Sequence, residues 1–160
     1  MKDLTLVNLL KIIRYSSKPV HCDLMKKLFD EIEPRLANFN ILSCLHIALM
    51  GTNLQLCHQK LIEKIIARMN YEITTVRLKE LDRMSLVIAL FDIESPSGIE
   101  MEFMRNVLDQ LKVRVDEIVK HPRCFTSTIH YLTMKGIYDL EMIESVMKQN
   151  FIHFAYGEKF

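Results

Sequence analysis

Four times along the chain, an apolar stripe at helical spacing is followed by a turn and then by a second such stripe. This recurrence constrains the fold more than any single motif. A helix pair that cannot bury its own apolar face must bury it on a neighbour of the same kind. The clearest copy is the stretch 41–69. Ile41, Leu45, Ala48 and Leu49 mark its first helix, Gly51-Thr52-Asn53 its turn, and Leu61, Ile62, Ile65, Ile66 and Met69 its second helix.

Ahead of it, Leu6, Leu9, Leu10 and Ile13 share one helix face, with Asp3 placed to cap the helix. Ser16-Ser17-Lys18-Pro19 breaks that helix, Leu24, Leu28 and Ile32 begin the next, and Pro34 ends it. Beyond the central copy, Glu72-Ile73-Thr74-Thr75 leads to a helix with Leu78, Leu81, Leu86 and Ile88, and Glu94-Ser95-Pro96-Ser97-Gly98 is the strongest turn in the chain. Phe103, Met104, Val107, Leu108 and Leu111 then predict a helix that continues through Val115 and Ile118. His121-Pro122 opens the last pair, which uses Phe125, Ile129 and Leu132, turns at Lys135-Gly136 and closes with Leu140, Ile143, Val146 and Met147.

The copies hold one apolar register. Leu10, Leu45, Leu86 and Ile129 correspond at offsets of 35, 41 and 43 residues in the first helices. Leu24, Leu61, Phe103 and Met142 correspond at 37, 42 and 39 in the second. Periods near forty residues built from helix pairs are those of α-solenoids. The expected fold is all-α, about eight helices in four hairpins (approximately 3–33, 37–69, 76–118 and 122–152) forming one domain of 160 residues, a short right-handed solenoid with the hand taken by analogy. A closed helical bundle is the alternative. The expected core is Leu10, Ile13, Leu28, Leu45, Ile65, Leu86, Val107, Ile129 and Val146, with Tyr15, Met50, Phe91 and Met134 packing beside the turns.

Charge bounds the function. Lys and Arg number 21 against 20 Asp and Glu, so a net charge of +1 gives no global field toward nucleic acid or an acidic membrane, and any such binding needs a local basic face. No apolar run reaches the ~18 residues of a membrane span. Cys22, Cys44, Cys57 and Cys124 fall at irregular spacings on helical segments and read as reduced, buried hydrophobes. His21-Cys22, Cys44-x-His46 and Cys57-His58 lack the paired spacing of a zinc site, and no Gly-rich nucleophile elbow or phosphate loop is present. A non-enzymatic protein is expected, with no cofactor, no metal and no small-molecule substrate.

Polar residues at equivalent positions suggest what the repeats present. Lys11, His46, Val87 and His130 share one position, and Asn8, Ser43, Met84 and Ser127 share the one a turn earlier. Residues three apart lie on one helix face. Asn8 with Lys11, Ser43 with His46, and Ser127 with His130 therefore form pairs able to read base edges, and a solvated helix face is the plainer reading of the same pattern. On the second helices Lys60, Lys64 and Arg68 form a basic stripe at four-residue spacing, joined by Lys27 at the position of Lys64. A phosphate backbone fits such a stripe, and ion pairing with Glu63, Asp30 and Glu31 explains it equally well.

The final stretch, TSTIHYLTMKGIYDLEMIESVMKQNFIHFAYG, with its Gly-containing turn and terminal Phe-x-x-Phe-Ala-Tyr-Gly, resembles the helical region of the FAST-kinase-like proteins, and the preceding Leu-rich hairpins are similar to it as well. That resemblance implies a mitochondrial protein that binds single-stranded RNA and acts in transcript processing, stability or translation. In that family the helical region precedes a nuclease-like RAP domain. Neither that domain nor an Arg-rich presequence is recognisable, so the chain is expected to be an internal piece of such a protein. The expected RNA-binding residues are Asn8, Lys11, Arg14, Ser43, His46, Lys60, Lys64, Arg68, Ser127 and His130. The alternative function is a protein-interaction scaffold that binds a partner through its exposed, apolar ends. Clustering of Lys11, Arg14, Lys27, Lys64 and Arg68 on one continuous surface favours RNA; scattering, or pairing with Asp and Glu, favours a protein partner.

Overall fold

The structure, a computed structural model, describes residues 3–157, with side chains from residue 5 onward; the cap expected of Asp3 lies outside the described side chains. Every regular element among these residues is helical. The first hairpin is α1 (Asp3–Ser16) and α2 (Cys22–Ile32), the second α3 (Ile41–Met50) and α4 (Gln59–Tyr71), and the third α5 (Leu78–Leu90) and α6 (Ile99–Val113). A short α7 (Val115–Lys120) leads to α8 (Pro122–Met134), α9 (Leu140–Met147) and α10 (Gln149–Tyr156), and 3-10 turns occupy Pro19–His21, Glu33–Asn38 and Thr52–Leu54.

Ten α-helices replace the eight expected, for local reasons. Arg114 leaves the helical region at φ −103°, ψ 44°, which separates α7 from α6. Lys148 is extended at ψ 135°, which separates α10 from α9. Helix starts are specified by side chains. Asn40 accepts the N–H of Ser43, Asp139 that of Met142, and Nδ1 of His58 that of Leu61. Such caps satisfy backbone donors that have no partner within the helix. Gly51 is required by close approach, since a Cβ there would lie 1.9 Å from the carbonyl oxygen of Leu56.

The first helices pack in chain order: α1 on α3, α3 on α5, and α5 on α8. On the other side α4 packs on α6, and α3 packs on its own partner α4. One apolar cluster runs through all of these elements. Leu10, Leu45, Ile65, Val107 and Ile129 are buried in it as expected, Ile13, Leu28 and Val146 are only partly buried at its margin, and Leu86 is partly buried. The column beside the turns divides. Met50 is buried and Phe91 partly buried, whereas Tyr15 and Met134 face solvent.

Two arginines tie the second helix of a pair to the segment that enters its first helix. The guanidinium of Arg68 on α4 donates to the carbonyls of Leu36 (3.3 Å) and Phe39, on the segment that enters α3. Arg114, just after α6, donates to the carbonyls of Ile73 (2.7 Å), Thr74 (3.1 Å) and Val76, on the segment that enters α5. Both use a fixed fork of charged donors to bond carbonyls of these connecting segments.

Candidate functional site

The basic stripe is partly ion-paired within the molecule, its two lysines sharing one carboxylate. Glu33, delivered by the 3-10 turn after α2, receives both Lys64 Nζ and Lys60 Nζ, the latter at 3.6 Å. The hydrogen bond from Lys64, helped by the charge of Lys60, holds the Glu33 carboxyl below its ordinary value. Arg68 is committed to backbone carbonyls and to Glu72 at 3.4 Å. Lys60, Lys64 and Arg68, expected to face a phosphate backbone, thus also meet carboxylates and carbonyls of their own chain, while the Lys60 and Lys64 side chains stay 72% and 49% exposed.

The polar pairs are corrected in part. Ser43 and His46 are not on a solvated face, because α3 lies among α1, α4 and α5 and all eight residues from Ser43 to Met50 are buried. Burial pushes the His46 pKa down to about 4, and the charges of Lys11, Arg83 and Arg14 push in the same direction. The imidazole is thus neutral at pH 7. Ser127 is half-buried and donates to Asp82, while Thr128 reaches the same carboxylate at 3.3 Å. Burial raises the Asp82 pKa in spite of these hydroxyls. Of the three pairs, only Asn8 with Lys11 is fully exposed; His130 is exposed without its partner, its ring centroid 5.8 Å from that of Tyr131. Arg14 is half-buried, its guanidinium 5.2 Å from the centre of the Tyr15 ring.

Of the other described cations fewer than half are ion-paired: Lys26 with Asp23, Arg35 with Glu31, Arg77 with Glu80, Lys112 with Asp139, Arg114 with Glu117, and Lys135 with Asp92. Lys11, Arg14 and Arg83 form no ion pair among the described residues, and nor do Lys18 and Lys27.

The less expected surface is apolar. Ile12 is 63% exposed, although Ile47 and Ile88, its equivalents on α3 and α5, are 0% exposed. Leu24 is 68% exposed, although Leu61 and Phe103, its equivalents on α4 and α6, are at 1% and 0%. Leu9, Tyr15 and Val20 extend this face, and a cavity of about 410 Å³ opens between α1 and α2, lined by Ile13, Leu24, Met25 and Leu28. The α1–α2 hairpin thus leaves bare the positions that the next two hairpins bury. The apolar register carried this signal: the same residue types recur at Ile12, Ile47 and Ile88 whether or not a neighbour covers them.

The bare α1–α2 positions offer apolar surface for burial. Among the described residues no group of three or more His, Cys, Asp or Glu is arranged to hold a metal, and the four cysteines are free thiols. No described helix is long and apolar enough to cross a membrane. Compared with protein-family models, with curated proteins and with solved structures, the chain matches none.

Proposed function

We propose that this chain is a non-enzymatic helical-repeat scaffold, a short α-solenoid whose uncovered α1–α2 face binds protein. The solenoid reading is supported by the chain-order packing of α1, α3, α5 and α8. The observation that carries the binding role is the exposure of Ile12 and Leu24 at register positions that the next two helix pairs seal. A contiguous apolar face of this kind marks an interaction site. The pairing of Lys60, Lys64 and Arg68 within the molecule weighs in the same direction.

A photo-reactive side chain at position 12 tests this in cells, with position 105 on α6 as the control. The scaffold reading expects discrete protein adducts from position 12 and none from position 105. Equal labelling from both positions, or nucleic acid alone, contradicts it.

RNA binding of the kind the FAST-kinase-like resemblance implies, to mitochondrial transcripts, is the second reading. One observation favours it: Lys11, Arg14 and Arg83 lie near enough to His46 to act on it together, and none is ion-paired. Binding of a mixed-sequence single-stranded RNA at two salt concentrations is the check. Affinity that falls steeply with salt, and is lost on changing Lys11, Arg14 and Arg83 to Glu, supports RNA.

A further inference from the structure

The molecule has two bare ends, and they are chemically complementary. Of the sixteen large apolar side chains exposed among the described residues, eleven lie on the α1–α2 hairpin or between Met134 and Tyr156. At the α9 end, Leu140 and Met147 are 73% and 72% exposed. Seven residues separate them, two helical turns, so they share one face of α9. Glu141 and Glu144 border that face, exposed and without an ion pair among the described residues. At the other end, Lys18 and Lys27 border the face that carries Val20 and Leu24, and they are equally unpaired. Asp23, Asp30 and Glu31 also lie there, and each already has a partner, in Lys26, His58 and Arg35.

We infer that this end face receives a second copy of the chain, head to tail, with α9 of one molecule seated against α2 of the next. The inference rests on the repeat-scaffold reading and names its partner. Inside the molecule, second helices already pack on one another, α4 on α6. Leu24 stands in the register of Leu61 and Phe103, which are sealed, and is itself bare. The covering element must present apolar groups two turns apart with carboxylates beside them, to meet Leu24, Lys18 and Lys27. The exposed face of α9 presents that set. Because the two surfaces differ, the contact is heterologous: it leaves a free end on each side and does not close into a symmetric dimer.

Sedimentation velocity from low micromolar to sub-millimolar protein tests this, with Leu24→Glu and Met147→Glu as variants. Both positions are exposed, and an unchanged helical circular dichroism spectrum and melting temperature verify folding. The wild type assembles in steps as concentration rises, and less so in high salt, because the bordering charges are screened. Each variant alone is monomeric, having lost one of its two surfaces. An equimolar mixture of the two gives a one-to-one dimer and nothing larger, because the intact α9 end of L24E meets the intact α2 end of M147E. Should either variant misfold, Glu144→Lys replaces Met147→Glu and Lys27→Glu replaces Leu24→Glu, with the same outcomes expected. A wild type that stays monomeric throughout, a single variant that still associates, or a mixture that stays monomeric overturns the inference. Monomeric wild type together with protein adducts from position 12 would remove self-docking and leave the scaffold reading standing.

Discussion

Ile12 and Ile47 hold the same place in the register, yet one lies open to water and the other is sealed. The middle hairpins, α3 to α6, have a neighbour on each side, and there the repeating pattern becomes a core. At α1–α2 the same pattern becomes a surface. Apolar periodicity therefore specifies a helix and its sticky side without specifying what meets that side. In a repeat architecture, stability is a sum of hairpin and interface contributions, so mutational effects should follow the neighbours rather than the residue type.

The largest expected difference lies within that column. Ile47→Ala should cost ~2–5 kcal/mol, as should Ile65→Ala, since each leaves a cavity in a filled core. The same change at Ile12 should cost less than ~1 kcal/mol, because that side chain is already mostly hydrated. Urea unfolding of the three variants decides it, and a cost below one for Ile65→Ala would contradict the assigned register. Next is the tie before α5. Arg114→Ala should cost about 1–3 kcal/mol by leaving the carbonyls of Ile73, Thr74 and Val76 without their donor. Arg105→Ala, on the exposed side of α6, should be close to neutral in the same measurement.

The third expectation concerns pH. His46 has its folded pKa depressed to about 4 from 6.5. Between those values the unfolded chain takes up a proton that the folded one refuses, so stability is lost as pH falls from 6.5 toward 4. With allowance for solvent screening the loss is ~1–2 kcal/mol, and His46→Gln should flatten that stretch of the urea-midpoint profile. The smallest effect belongs to the outer ion pairs. Lys64→Ala should cost less than ~1 kcal/mol, its partner Glu33 keeping Lys60.

These contrasts also mark what was legible in the sequence. The helix pairs, the turns at Gly51, Glu94–Gly98 and Lys135-Gly136, and interior residues such as Leu45, Ile65 and Val107 follow from local spacing and were readable. The fate of the lysines was not. Glu33 reaches Lys64 across 31 residues, and a sequence shows a charge without its distant partner. Ser43 and His46 were misjudged because a polar residue on a helix normally faces water, whereas α3 has helices on three sides. Gln110 and Glu117 lie beside Arg114 in the sequence, but its tie to the segment before α5 gave no signal, since those partners are backbone carbonyls that any residue could have supplied.

Native-state hydrogen exchange, resolved by residue, tests the central claim most directly, because local opening reports which elements have neighbours. A stack of hairpins predicts graded protection, highest in α3 to α6 and falling toward α1–α2 and α9–α10, with the amide of Ile47 exchanging far more slowly than that of Ile12. One uniform level of protection from α1 through α10, opening in a single step, would contradict the stack and point to a closed bundle.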